Sequence, residues 1–251
     1  MKAEIKNRVP HIIFLYWVIK IASTTLGETG ADMFSMTFNL GYASTILIFM
    51  SFFLAFLAIK LFLKGYNPAA YWATFTASAI AGTAISDFID RTLGLGYAWG
   101  SLILTISLLI ILAIWYKKDK SIDVEYIAKP SSEIFYWTAF LIANTLGTAA
   151  GDFLADNMGL GFVHSAIIIS VLLLLIALLH FFTKVSGTLL FWLAFVLTRP
   201  FGATFGDVLT KPVAKGGINL GTIGSSIVFC AILIFAIVQE TKLEKQRLSA
   251  S

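Results

Sequence analysis

Charge is scarce in this chain. Of 251 residues, 18 are Lys or Arg and 14 are Asp or Glu, 13% in all, about half the ~25% usual in soluble domains. Cysteine is almost absent: Cys230 stands alone in an apolar run, so no disulfide framework exists and redox compartment is not encoded. The three histidines do not group with carboxylates, since His11 and His180 lie near one boundary of the apolar runs and His164 near the other. No P-loop, dinucleotide fingerprint, nucleophile elbow or HExxH pattern is present. These absences argue against an enzyme and against an organic cofactor. The net charge of +4 sits mostly in loops and tails, where membrane orientation accounts for it without a nucleic-acid partner.

What the chain has in abundance is apolar sequence, 58% of its residues, with a mean hydropathy of +0.87. Its solvent is expected to be the lipid bilayer. About 20 residues of helix cross ~30 Å of hydrocarbon. Eight segments meet that length, at about 11–36, 42–63, 68–90, 97–116, 132–155, 162–182, 187–209 and 219–239. The first contains Lys20 and Glu28 and no small-residue cleavage pattern, so it reads as a span rather than a cleaved signal. Pro68 suits a first helical turn, and Ser131 and Ser132 before Glu133 suggest the cap of the fifth span.

A fixed pattern recurs four times: Trp, then Gly ten residues on, then Asp fifteen residues on. The sets are Trp17/Gly27/Asp32, Trp72/Gly82/Asp87, Trp137/Gly147/Asp152 and Trp192/Gly202/Asp207. Two spacings held across four copies identify an internal repeat. A Leu-Gly pair (Leu40-Gly41, Leu95-Gly96, Leu160-Gly161, Leu220-Gly221) opens each even-numbered span. The expected fold is therefore all-α: eight transmembrane helices from four tandem helical hairpins in parallel orientation, pseudo-symmetric about the membrane normal. The repeats fall at about 11–63, 68–116, 132–182 and 187–239, in two halves joined by the polar loop 117–131.

Basic residues orient the chain. Lys2, Lys6, Arg8, Lys60, Lys64, Lys117, Lys118, Lys120, Lys129, Lys184, Lys242, Lys245 and Arg247 share the side of both termini, against Arg91, Lys211 and Lys215 opposite. That asymmetry puts both termini in the cytoplasm.

The intramembrane charges are the candidates for chemistry. Lys20 and Arg199 lie near mid-span, where a charge costs at least ~2.5 kcal/mol and implies a function and a partner. Glu28 lies two turns beyond Lys20 on roughly one face, with Thr24 between, and Asp32 follows Glu28 by one turn. Asp207 and Lys211 form an i,i+4 pair, whereas Asp90–Arg91 reads as an interfacial pair further out. The outer halves of the odd spans hold seven carboxylates and four bases, a surplus suited to a cation or to held protons. Glu28, Asp32, Asp87, Asp152 and Asp207 are the proposed ion or metal ligands, supported by Thr24 and Asn144, with Lys20 and Arg199 as counter-charges. Such oxygen ligands suit Mg²⁺, Mn²⁺ or Ca²⁺ rather than zinc. Arg199-Pro200 invites a kink or break, and the repeat glycines read as sites of close helix approach.

Three stretches resemble a known family. Lys20–Asp32, Asn144–Asp152 and Arg199–Asp207 are similar to the first, third and fourth repeat motifs of a bacterial integral-membrane family built from four tandem repeats of unknown function; Ala81–Asp87 is the loosest match. The resemblance covers essentially the whole chain and implies a multi-pass protein of the bacterial inner membrane, without supplying a substrate.

The charges therefore suggest a secondary transporter or exchanger of a small ion, most simply a proton-coupled cation, using a carboxylate-lined site between odd-numbered helices. Two alternatives stand beside it: an anion or small-carboxylate transporter using Lys20 and Arg199, and a non-transporting structural bundle or partner subunit. Assembly as a homo-oligomer is left open by the sequence.

Overall fold

The computed structural model describes residues 7–63, 65–122, 126–127 and 129–250; Lys2, Lys6 and Lys64 lie outside them. The described chain contains eight long helices: α1 (Phe14–Asp32), α2 (Gly41–Phe62), α3 (Pro68–Asp87), α4 (Gly96–Asp119), α5 (Pro130–Asp152), α6 (Gly161–Phe182), α7 (Gly187–Thr210) and α8 (Thr222–Ala250). Five of them, α2, α4, α6, α7 and α8, are long and apolar enough to cross a membrane.

The three that fall short, α1, α3 and α5, are inner helices, as is α7. The odd helices form a closed inner ring in which α1 packs on α3, α3 on α5, α5 on α7 and α7 on α1. Around it stand the even helices, whose exposed faces are Leu, Ile, Val and Phe. A helix shielded by protein can carry Thr, Ser and charge that a lipid-facing helix cannot.

Each outer helix packs along the inner helix of the following repeat, not its own: α2 on α3, α4 on α5, α6 on α7 and, closing the circle, α8 on α1. The repeats are thus interleaved rather than stacked as separate hairpins.

Local sequence explains the ends. Asn67 caps α3 by accepting from Ala70 N at 2.9 Å, with Pro68 at the first position. The fifth helix starts one residue before the expected serine caps, at Pro130, and Ser132 instead bonds Asp119. Gly41, Gly96, Gly161 and Gly221 all have φ between +68° and +78°, a left-handed conformation that only glycine adopts freely, which accounts for the repeated Leu-Gly. Helix α7 runs unbroken through Pro200, so the expected break is not there.

Successive inner helices meet at the repeat glycines. A Cβ on Gly27, Gly82, Gly147 or Gly202 would lie within 3.0 Å of Ala79, Asn144, Arg199 and Thr24 respectively. Those four partners share one repeat position, seven residues after the tryptophan. The glycines are therefore packing devices, and the contact is cyclic.

Candidate functional site

The inner ring presents side chains to its axis every four residues, and each repeat position meets its equivalents. The first level is Tyr16, Tyr71, Tyr136 and Phe191, where the Tyr71 and Tyr136 hydroxyls lie 2.5 Å apart. Next come Lys20, Phe75, Phe140 and Phe195. The Lys20 ammonium sits 3.2 Å from the Phe195 ring centre and 5.2 Å from that of Phe75, donating to Phe195 O at 3.2 Å. Expected as a counter-charge, it pairs with no carboxylate among the described residues.

One turn further, Arg199 crosses the axis. Nη1 donates to Thr24 O at 3.0 Å; Nη2 donates to Ala79 O at 3.2 Å, Thr148 Oγ1 at 3.0 Å and Thr83 Oγ1. Glu28 lies 3.7 Å from Nη1 and accepts from Thr83 at 3.2 Å and Thr148 at 3.3 Å. Thr83 and Thr148 escaped the sequence reading although they occupy the repeat position of Glu28, eleven residues past the tryptophan. Thr24 and Asn144 do not join the carboxylates. The Thr24 hydroxyl donates to Ile21 O and Thr198 O, and Asn144 donates to Ser78 at 2.9 Å.

The four aspartates come next, each at most 2% exposed. They are linked in two pairs by bases four residues past an Asp. Lys211 lies 3.0 Å from Asp207 and 2.9 Å from Asp32; Arg91 lies 3.3 Å from Asp87 and 3.0 Å from Asp152. Arg91 thus belongs to the site and not to an interfacial pair with Asp90, which accepts instead from Ser86 at 3.2 Å. Asp156 is exposed and apart. Burial alone would lower the Lys211 pKa, but Asp207 and Asp32 beside it hold it above the ordinary lysine range, so the ammonium stays charged.

One oxygen each from Glu28, Asp32 and Asp207 lies within 4.8 Å of the other two. Ionised carboxylates at that spacing repel by about 3 kcal/mol per pair at an effective dielectric constant of ~20. Lys211 beside Asp32 and Asp207, and Arg199 beside Glu28, offset that repulsion but leave three desolvated carboxylates facing two bases. Asp207 Oδ1 and Asp87 Oδ1 are buried with their ion pairs to Lys211 and Arg91 as their sole partners among the described residues, and Asp87 Oδ2 is buried without a hydrogen bond. Oxygens bound to one Mg²⁺ or Ca²⁺ ion at about 2.0–2.6 Å stand no more than about 4–5 Å apart, so the trio is close enough to share one hard cation.

Backbone geometry concentrates here as well. In the first three repeats the α-helix ends at the aspartate and passes into one π-helical turn, Met33–Thr37, Phe88–Thr92 and Phe153–Asn157. Such turns are rare and gather at functional sites. The fourth repeat has none: α7 continues to Thr210, and the extra residues from Lys211 fold back, with Ile218 N bonding Val208 O at 2.7 Å.

A second buried charge cluster closes the opposite end. Glu133 pairs with Arg8 and, at 2.7 Å, with Lys60, while Lys60 donates to Arg8 O at 2.6 Å. Glu240 accepts from Trp72 Nε1 at 2.6 Å and Tyr66 OH at 2.7 Å. These groupings were not legible in the sequence, because their members sit at helix ends where charge is ordinary.

The chain belongs to the family described as Repeat of Unknown Function (DUF347), which matches residues 15–66, 70–121, 135–186 and 190–245. No curated protein and no solved structure matches it.

Proposed function

We propose that this member of the four-repeat family is an eight-span secondary transporter of a small cation whose site is the acidic level of the inner ring. The observation that carries the reading is the convergence of five buried carboxylates, Glu28, Asp32, Asp87, Asp152 and Asp207, from all four inner helices against three contacting bases, Arg91, Arg199 and Lys211. A purely structural network would approach neutrality, since unmatched buried charge is costly. The meeting of equal repeat positions at every level supports parallel repeats. The bias of Lys and Arg toward the end bearing both termini supports cytoplasmic termini in an inner membrane.

The same geometry disfavours an anion site. Both Nη groups of Arg199 are occupied by protein oxygens, and Lys20 is enclosed by aromatic rings. The Phe and Tyr levels fill the axis toward the terminal end, whereas Arg91 and Lys211 are 31% and 20% exposed. The acidic level is therefore placed to exchange with the far side in this conformation. Protein reconstituted into liposomes should move a cation down an imposed gradient, and Asp152→Asn or Glu28→Gln should each abolish that movement while the protein stays folded. Unchanged transport in both variants overturns the assignment.

A further inference from the structure

The acidic level is split into two halves of the same plan, and their differences single out one of them. Lys211 joins its own Asp207 to Asp32 of the next repeat in the ring; Arg91 joins its own Asp87 to Asp152 in the same sense. Resting on the reading of this level as a cation site, we propose that its exchangeable half is Glu28, Asp32 and Asp207, and that Lys211 is a tethered plug displaced by a hard divalent cation.

Three differences carry this. The Lys211 half has a third carboxylate, Glu28, close enough to share an ion; the Arg91 half has Thr148 at the matching repeat position. Arg91 is braced, donating to Tyr97 OH at 2.9 Å and Tyr42 OH at 3.3 Å from within a π-helical turn. Lys211 touches just the two aspartates, 2.9 Å from Asp32 and 3.0 Å from Asp207, with no further brace among the described residues, and it begins the irregular segment that follows α7. A guanidinium fork in fixed contacts is a permanent counter-ion, whereas an ammonium on a four-carbon stem is a point charge that can swing away.

The occupant of the site is itself informative. The Lys211 ammonium stands where a cation would touch Asp32 and Asp207, 2.9 and 3.0 Å from their oxygens, and among the described residues it is the one partner of the buried Asp207 Oδ1. With Arg199 on Glu28 and Lys211 on the two aspartates, two bases still face three buried carboxylates. A divalent ion accepts oxygens from all three carboxylates and returns Lys211 to the exposed side, so binding and plugging are mutually exclusive.

The test is titration of the purified full-length protein in detergent with Ca²⁺, Mn²⁺ and Mg²⁺ at constant ionic strength. Calorimetry and thermal unfolding would be read on wild type, Lys211→Met, Arg91→Met and Lys211→Met/Asp207→Asn. The expected result is at least tenfold tighter binding in Lys211→Met, abolished in the double variant, with no gain in Arg91→Met. Lys211→Gln replaces Lys211→Met should the latter fail to fold. Binding in wild type that is unchanged by removing Lys211 overturns the plug and leaves the acidic site standing. An equal gain in Arg91→Met overturns the choice of half. No divalent binding to wild type or to either Lys211 variant overturns both the plug and the site.

Discussion

Gly147 and Arg199 meet so closely that a Cβ on the glycine would stand 2.1 Å from Arg199 Cγ. The absence of one side chain on α5 is what lets the stem of the arginine pass between helices and carry its guanidinium onto the axis. Gly147→Ala is therefore expected to displace Arg199 and lower stability by about 1–3 kcal/mol, the usual range for overpacking. Gly224→Ala, whose Cβ would meet nothing nearer than 3.6 Å, should change stability by less than about 0.5 kcal/mol. Thermal unfolding in detergent compares the two; equal losses would mean that Arg199 accommodates the methyl.

Arg199→Met should be among the most damaging single changes. It removes the base paired with Glu28, which keeps the Thr83 and Thr148 hydroxyls as donors, and breaking a buried ion pair from one side costs about 3–5 kcal/mol. Adding Glu28→Gln to Arg199→Met should recover a large part of that loss. A double variant as unstable as the sum of the two single variants would show that Arg199 acts through its carbonyl contacts alone.

Lys20→Met is expected to go the other way. The side chain is 0% exposed, meets no carboxylate, and lies between phenylalanine rings. Replacing it by an apolar side chain of similar length removes a buried charge and should stabilise the bundle by about 1 kcal/mol or more. A fall in unfolding temperature would mean that the ring and carbonyl contacts outweigh desolvation.

Glu133→Gln leaves Arg8 and Lys60 facing each other without their shared carboxylate. The expected loss is about 3 kcal/mol or more, with Glu133→Gln/Lys60→Met losing less than Glu133→Gln alone. Glu244→Gln is the control. Its partner Arg247 is 3.9 Å away and half exposed, so the change should be close to zero. Similar effects at Glu133 and Glu244 would remove the Arg8–Glu133–Lys60 clasp from the account of how this end is held.

Much of the bundle was legible in the sequence because a helix turns pattern into height. The Trp–Gly–Asp spacing alone put Asp32, Asp87, Asp152 and Asp207 at one level, and the glycine ten residues after each tryptophan did prove to be a point of close approach. The apolar composition and the matched repeats likewise required only counting. Lateral relationships were not legible in the same way. Position along a helix says nothing of which helix stands opposite, and a Lys or Arg stem reaches several ångströms to either side.

The sequence by itself therefore determined a helical membrane protein of four repeats with a carboxylate at one equivalent place in each. Closure of the inner ring decided the rest. It set each outer helix against the next repeat, gave Asp152 to Arg91 and Asp32 to Lys211, and enclosed Lys20 among phenylalanines. The two charge contacts join residues 61 and 179 positions apart. Local periodicity fixes what a helix offers to its neighbours, and only the cyclic order of the packed helices fixes which neighbour receives it.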